Sequence, residues 1–265
     1  MLKTKKLKMS RGDMGMLTQE RYHIILQQLH DKRTVTVAEL TQALDTSEST
    51  IRRDLNTLHE MGKLIKVHGG ATVLSDNFSA VEDDVRTKAA QNVEAKRKIA
   101  RYAATLIHEN DFVFIDAGTT TEKLVDYLEH TGAVFVTNGI AHAKRMVQKG
   151  LKVYLIGGQL KLSTEAIVGT VAVQNLRQYN FTKCFLGSNG VSLESGFTTP
   201  DPEEALLKAE VVGRSYQVFL LADSSKFGRV TSVCFAGLGQ ATIITDRLPD
   251  EAYREQTVVK EVGAE

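Results

Sequence analysis

Two clusters of side chains in this sequence could do chemistry, and both are suited to anions. In the run STIRRDLN, Ser49 and Thr50 precede the adjacent pair Arg52-Arg53, with Asn56 following, and a short glycine-tipped segment carries Lys66, His68, Gly69 and Gly70 soon after. An arginine's planar fork bonds a guanine edge or a phosphate, short hydroxyls reach phosphates and base edges, and glycines let a backbone come close to a sugar-phosphate wall. The second cluster is DAGTTT, Asp116 to Thr121, which follows the apolar run FVFI. A helix opening there presents unpaired N–H groups and a favourable dipole to an anion. Gly118 permits close approach, and Thr119, Thr120 and Thr121 add hydroxyls. Thr137 and Asn138, Gly158, and Asp223 with Lys226 each stand just after an apolar run of their own. Several strand ends converging on such residues make a pocket, and a phosphate is its natural guest.

The elements that must hold the first cluster can be read from spacing. Tyr22, Ile25, Leu26 and Leu29 recur at i, i+3, i+4 and i+7, predicting a helix from Thr18 to Asp31. TVAELTQAL sets Thr36 three residues before Glu39, a capping-box signature, with Val37, Leu40 and Leu44 on one side. Asp45-Thr46-Ser47 then makes a turn with Ser47 as N-cap of a third helix ended by Gly62. When each residue of that helix is rotated by about 100°, Ile51, Leu55 and Leu58 define its buried direction. Arg53 and Ser49 fall opposite, Asn56 beside them, Arg52, Thr50 and Thr57 on the flanks, and Asp54 near the buried edge. Lys63 to Leu74 reads as a hairpin with Gly69-Gly70 at its tip. Three short helices with a tight turn before the third, then a hairpin, is the plan of a winged helix-turn-helix, whose third helix enters the major groove.

The second cluster sits in a different texture. Beyond a polar stretch at 75–93, expected as a linker, a helix begins at Glu94, and short β-branched runs then alternate with helical ones: DFVFIDA, Thr120–His130, AVFVTNG, Ile140–Gln148, KVYLIGG. Such alternation predicts βαβ units and a largely parallel sheet, with ligands beyond the strands' carboxyl ends. KCFLGSNG, YQVFLLADSS, SVCFAG and ATIITD are expected to extend that sheet, with a helix from Pro202 to Arg214. AGLGQAT departs from GxGxxG and leads into a strand, so a dinucleotide site is set aside.

Charge supports the division. Residues 1–74 hold 12 Lys/Arg against 8 Asp/Glu, and residues 75–265 hold 21 against 24, a basic head on an acidic body. No apolar run approaches the roughly 18–20 residues of a membrane span, and the basic start has no apolar signal core, so a cytoplasmic location is expected. The leader 1–16 is expected to be disordered, with Met16 as an alternative start. Cys184 and Cys234 lie in apolar runs and are expected as core thiols; no metal site and no cofactor is expected.

SESTIRRDLNTLHEMGKLIKVHGGA resembles the N-terminal signature of DeoR-family bacterial transcription repressors, and DAGTTT, TNG, IGG and ADSSKFG resemble that family's C-terminal sensor domain, similar in fold to ribose-5-phosphate isomerase. The resemblance runs from Leu17 to about Asp246. It implies a winged helix-turn-helix at 17–74, a linker at 75–93, an effector-binding α/β domain at 94–257 and a tail at 258–265. It also implies double-stranded operator DNA as partner, read by Thr36, Ser47, Ser49, Thr50, Arg52, Arg53, Asn56, Lys66, His68, Gly69 and Gly70. The implied effector is a phosphorylated sugar held by Asp116, Gly118, Thr119, Thr120, Thr121, Thr137, Asn138, Gly158, Asp223 and Lys226. IGGQLKLSTEAIVG, YNFTKCFLGSNG and GFTTPDPEEALLK look like the fructose-operon repressors of Gram-positive bacteria, which implies fructose 1-phosphate. Helix-turn-helix proteins usually pair on two half-sites, so a homodimer or homotetramer is expected. The alternative is a sugar-phosphate isomerase or hydrolase using Asp116 or Asp223 with Lys226, since isomerisation needs a carboxylate to move a proton and a cation to hold the enediolate.

Overall fold

The computed structural model describes residues 18–32, 34–61, 63–67, 69–73, 78–79, 84–129 and 132–263. The expected leader, the helix stop at Gly62, Leu74 and the wing residue His68 lie outside the described residues. The chain divides into two compact units, Met1–Ser75 and Asp76–Glu265.

The first unit runs α1 (Thr18–Lys32), β1 (Thr34–Thr36), α2 (Val37–Leu44), α3 (Glu48–Glu60), β2 (Leu64–Val67) and β3 (Gly70–Val73). Its core is the set of apolar positions the spacing picks out: Ile25 and Leu29 from α1, Leu40 and Leu44 from α2, and Ile51, Leu55 and Leu58 from α3, closed by Val35, Leu64 and Ala71. The sheet order is β1-β3-β2, antiparallel throughout. Two adjacent glycines serve it differently. Gly69 has φ +84°, a turn conformation that other residues adopt only with strain, whereas a Cβ on Gly70 would lie 2.2 Å from the Val35 carbonyl oxygen where β3 meets β1. The Gly69 carbonyl also accepts the Val37 N–H at 2.9 Å, tying the hairpin tip to the start of α2.

The second unit contains β4 (Phe78–Ser79), α4 (Val85–Ala90), α5 (Val93–Ala104), β5 (Phe112–Ile115), α6 (Thr119–Asp126), β6 (Val134–Thr137), α7 (Ile140–Gln148) and β7 (Lys152–Leu155). It continues with β8 (Gln159–Lys161), β9 (Ala166–Val168), α8 (Thr170–Leu176), β10 (Phe181–Gly187), β11 (Gly190–Ser192), β12 (Gly196–Thr199) and α9 (Pro202–Gly213). The last strands are β13 (Ser215–Leu221), β14 (Val230–Thr231), β15 (Val233–Ala236), β16 (Thr242–Thr245) and β17 (Val259–Glu261). Seven strands form one parallel sheet in the order β17-β16-β13-β10-β5-β6-β7. From β5 the chain winds one way through β6 and β7, and from β10 the other way through β13, β16 and β17. The reversal between β5 and β10 opens a crevice beyond their carboxyl ends. Apolar clusters pack on the two faces, one around Phe114, Leu186 and Leu220, the other around Phe135, Phe185 and Ile244.

Four expectations are corrected. SVCFAG does not extend the main sheet: β15 pairs with β12 in a separate antiparallel sheet, β11-β12-β15, because the chain returns to it without the crossover helix that parallel pairing needs. Cys234 is exposed, since on this short strand it alternates with the buried Phe235; Cys184 is buried. The stretch 75–93 is not all linker, for Asp84 caps α4 (Oδ1 accepts from Thr87 N–H, 2.7 Å) and Val85, Lys88 and Ala89 give it a half-buried face at i, i+3, i+4. Residues 258–265 are not all tail, because Val259 is buried on β17 at the sheet edge. Among the described residues no helix is long and apolar enough to cross a membrane.

The Asp54 side chain, at the buried edge of α3, accepts two hydrogen bonds from the Arg21 guanidinium, 2.8 Å to Oδ2 and 3.1 Å to Oδ1, and clamps α1 to α3. Asp54→Ala removes two charge-assisted hydrogen bonds from a guanidinium whose side chain is 13% exposed, so about 2–3 kcal/mol of stability should be lost. Urea unfolding should show the N-terminal transition at lower midpoint and the C-terminal one unmoved, with much of the loss recovered by the double variant Arg21→Met, Asp54→Leu.

Candidate functional site

In the first unit two of the candidate DNA contacts serve as helix caps. The Thr36 hydroxyl accepts the Glu39 N–H at 3.1 Å while the Glu39 carboxylate accepts the Thr36 N–H at 2.7 Å, the reciprocal bond that S/T-x-x-E predicts. The Ser47 hydroxyl accepts the Thr50 N–H at 3.2 Å and lies 2.9 Å from the hydroxyls of both Ser49 and Thr50. These bonds start α2 and α3 and line three hydroxyls along the N-terminal edge of α3. Along the outer face Arg52, Arg53 and Asn56 are exposed, Arg52 in an exposed pair with Glu48 at 3.3 Å. Lys66 on β2 donates to Asn56 Oδ1 at 2.6 Å, joining the wing strand to the helix. The face opposite Ile51, Leu55 and Leu58 is therefore a polar, arginine-bearing surface flanked by a hairpin, the shape that fits a major groove.

In the second unit the pocket stands at the sheet reversal. Asp116 at the end of β5 and Gly187 at the end of β10 face one another, and the Gly187 N–H donates to Asp116 Oδ2 at 3.0 Å. That oxygen also accepts a hydrogen bond from Lys208 on α9, whose ammonium donates in addition to the Gly187 carbonyl at 3.0 Å. Both charged side chains are nearly sealed from solvent, Asp116 at 4% and Lys208 at 5%. Asn138 at the end of β6 accepts the Ala117 N–H at 2.9 Å and orients the turn into α6. Above this floor the pocket opens to solvent, with about 780 Å³ of space counted together with its open mouth. Among the described residues its lining carries four lysines, 88, 96, 208 and 226, and three carboxylates, Asp116, Glu204 and Asp223. The N-terminus of α6 adds positive potential.

Of the candidate effector residues, Asp116, Gly118, Thr119, Thr120, Asn138, Asp223 and Lys226 all line this pocket. Three do not. Thr121 is fully buried and its hydroxyl is used within the turn, donating to the carbonyls of Asp116 (2.5 Å) and Gly118 (2.7 Å) and accepting the Gly118 N–H (2.9 Å). Thr137 is also fully buried and caps the next turn by accepting the Gly139 N–H at 3.0 Å. Gly158 packs so closely on β9 and α8 that a Cβ there would meet Ile167, Val168 and Ala172 within 3.0 Å. Its role is close packing.

Residues 21–77 match the DeoR-like helix-turn-helix domain and residues 91–247 match the DeoR C terminal sensor domain. The chain belongs to the DeoR family. It is a DNA-binding transcriptional repressor with a C-terminal sensor domain. Similar proteins include FruR of Bacillus subtilis strain 168, an uncharacterized HTH-type transcriptional regulator, 46% identical over 93% of this chain and 99% of that one. GlpR of Haloferax volcanii, an HTH-type transcriptional regulator, is 37% identical over 91% of this chain and 94% of its own. The lactose phosphotransferase system repressor of Streptococcus mutans is 32% identical over 93% and 99% respectively. Among solved structures, ribose 5-phosphate isomerase A from Methanocaldococcus jannaschii has a TM-score of 0.39 at 15% identity, covering 52% of this chain and 55% of that one.

For this DeoR-family sensor domain, residue-by-residue reading found Lys226 and missed the other three lysines of the pocket. Lys208 ends GFTTPDPEEALLK one helical turn after Glu204, and that i,i+4 spacing on an otherwise apolar helix face was the available signal. Glu204 in turn accepts hydrogen bonds from Lys161 (3.0 Å) and Thr164 (3.1 Å) of IGGQLKLSTEAIVG, and from Thr199 (3.2 Å). Lys88 and Lys96 belong to the stretch read as linker and to the helix after it, where no motif marked them.

Burial above all, and the nearby charges of Lys226, Lys88 and Lys123 against the upward pull of Asp223, bring Lys96 down to about 8. A bound phosphate favours charged Lys96 and raises its pKa, so proton uptake on binding is slight near pH 7 and grows as pH rises through 8. Affinity for a phosphorylated ligand should therefore be flat between about pH 7 and 8 and fall above it, by up to about tenfold per pH unit. Calorimetric titrations from pH 7 to 9.5 check this, and Lys96→Met should bind more weakly with the decline removed.

Proposed function

We propose that the chain represses a sugar-utilisation operon, gripping double-stranded operator DNA through α3 and the β2–β3 wing until a phosphorylated sugar fills the sensor pocket. The observation that carries this reading is that four lysines, one of them paired with Asp116, line the same pocket as the start of α6 at the sheet reversal. Like charges brought together out of water repel, and an anion relieves them. A phosphate placed on the α6 amides would face Lys96 and its neighbours, while Asp116, Asn189, Glu204 and Asp223 offer partners for hydroxyls.

Fructose 1-phosphate is the effector the reading names. It is supported by the three motifs that carry the fructose-operon likeness, two of which meet around Glu204, and by the likeness to FruR. Ser49, Thr50, Arg52, Arg53, Asn56 and Lys66 would touch DNA directly, Thr36 and Ser47 would present the helices that do so, and the wing tip would approach the backbone. An even-numbered homo-oligomer would place two such modules on two half-sites. Neither metal nor cofactor enters this role. The reading also takes Asp116 as ion-paired with Lys208 and so poorly placed to act as a base, which favours binding over turnover.

A DNA fragment selected by the protein from a random-sequence pool serves as operator. Arg53→Ala should lose about 1–3 kcal/mol of DNA affinity in gel shifts and keep its effector affinity in calorimetry. Lys226→Ala and Thr119→Ala should keep DNA binding and lose effector binding. Thermal shift across phosphorylated sugars should rank fructose 1-phosphate first, and incubation with it or with ribose 5-phosphate should give no conversion; turnover would move the reading to an isomerase.

A further inference from the structure

Asn92 occupies the joint between α4 and α5 in the left-handed region, with φ 51° and ψ 38°. It is the N-cap of α5, yet its side chain makes no cap bond there. Instead its amide donates to Asp223 Oδ1 at 2.9 Å and to Ser225 Oγ at 3.0 Å. Asp223 is 1% exposed and lines the pocket. Its Oδ1 is heavily used, accepting from the Ser225 N–H (3.1 Å) and hydroxyl (2.5 Å) as well as from Asn92. Its Oδ2 is buried with no hydrogen-bond partner. A bare buried carboxylate oxygen is costly, and one in a pocket wall is positioned for a donor that arrives with the ligand. A phosphate dianion cannot be that donor; a hydroxyl can.

The same joint is held from the pocket a second time. Lys96, one turn into α5, donates through its ammonium to the Lys88 carbonyl in the last turn of α4. Both Lys96 and Lys88 line the pocket. A phosphate there would compete with that carbonyl for the ammonium, and a ligand hydroxyl drawn to Oδ2 would reorient the Asp223 carboxylate whose Oδ1 holds Asn92.

We infer that Asp223 is a shared acceptor, its Oδ2 taking a hydroxyl of the bound sugar phosphate and its Oδ1 holding Asn92, so that pocket occupancy resets the α4–α5 joint. Among the described residues this joint is the first helical segment in chain order after the DNA-binding module, which makes it the route by which the sensor would act on that module. The inference rests on the sugar-phosphate reading above. A ligand shifts such an equilibrium only by its differential affinity for the joint's two arrangements, which is what the Asn92 bond supplies.

Asn92→Gly tests it, because glycine accepts a φ of +51° without strain and lacks the amide. Fructose 1-phosphate is titrated by calorimetry, and release of the selected DNA fragment is followed by gel shift, on the full chain. Asn92→Gly should bind the sugar within threefold of wild type yet need at least tenfold more of it to release DNA. Asn92→Asp, which keeps a short polar side chain but sets two carboxylates face to face, should behave alike and guards against a folding defect in either variant. Asp223→Asn should bind the sugar at least tenfold more weakly. Release by Asn92→Gly at wild-type concentrations overturns the inference, as does loss of sugar binding in step with release. Tighter binding by Asp223→Asn also overturns it, since the carboxylate would then only repel the phosphate. A wild type that binds no sugar phosphate overturns the functional reading along with it; in every other outcome the wild-type titration is intact.

Discussion

The sensor domain depends on a carboxylate buried where its sheet changes direction. Asp116 stands at the end of β5, beside the end of β10, and both its backbone and its side chain are held there: its N–H donates to the Phe185 carbonyl and its Oδ2 accepts from Gly187 N–H and from Lys208. A carboxylate at 4% exposure is costly to bury without a partner, so the ion pair with Lys208 is a condition of the architecture. It draws α9 onto the sheet reversal and brings Glu204, on the same helix face, against Lys161 of the β8–β9 hairpin. One charge thereby fixes three elements around a single opening.

The DNA-binding unit solves the same problem on a smaller scale. Asp54 is the one acidic group on the buried side of α3, and Arg21 answers it with two hydrogen bonds across thirty-three positions of chain. The inward face is closed by that pair and by the core, the N-termini of α2 and α3 are satisfied by Thr36 and Ser47, and Arg52 and Arg53 stand exposed on the outer face. Their outward position follows from the periodicity of Ile51, Leu55 and Leu58.

Helical periodicity carried most of the first unit because every helix there has one wet face and one dry face, and the cap residues are of types that do little else. The parallel strands were legible as short β-branched runs separated by helices. The small strands β8, β9, β11 and β12 were not, being three or four residues long and glycine-bounded, so that neither length nor alternation sets them apart from turns. The same limit divided the site. Residues at strand ends, such as Asp116, Asn138 and Asp223, announce themselves by position after an apolar run. Lys96 and Lys208 reach the pocket from the middle of helices, and a lysine in a helix pattern reads as a solvated face until the fold shows what lies opposite. Thr121 and Thr137 failed for the converse reason: a threonine at a strand end or a helix start serves the turn at least as readily as a ligand.

The pocket's charge arrangement joins recognition to stability. Desolvating Lys96 beside other lysines costs the folded domain free energy, which its lowered pKa of about 8 records. The bare Asp223 Oδ2 is a second cost of the same kind. The first is only partly offset, by Asp223 and the Lys88 carbonyl, and the two lie on the same concave surface with opposite preferences, one for an anion and one for a hydrogen-bond donor. A molecule carrying a phosphate and a hydroxyl satisfies both at once, whereas phosphate alone leaves the carboxylate bare and an uncharged sugar leaves the lysines crowded. Because Asn92 and the Lys88 carbonyl are bound by those same two residues, the groups that select the ligand are also the ones that hold the α4–α5 joint. On the proposed reading, selectivity and transmission are one set of bonds, and a ligand lacking either group would fail to signal for the same reason that it fails to bind.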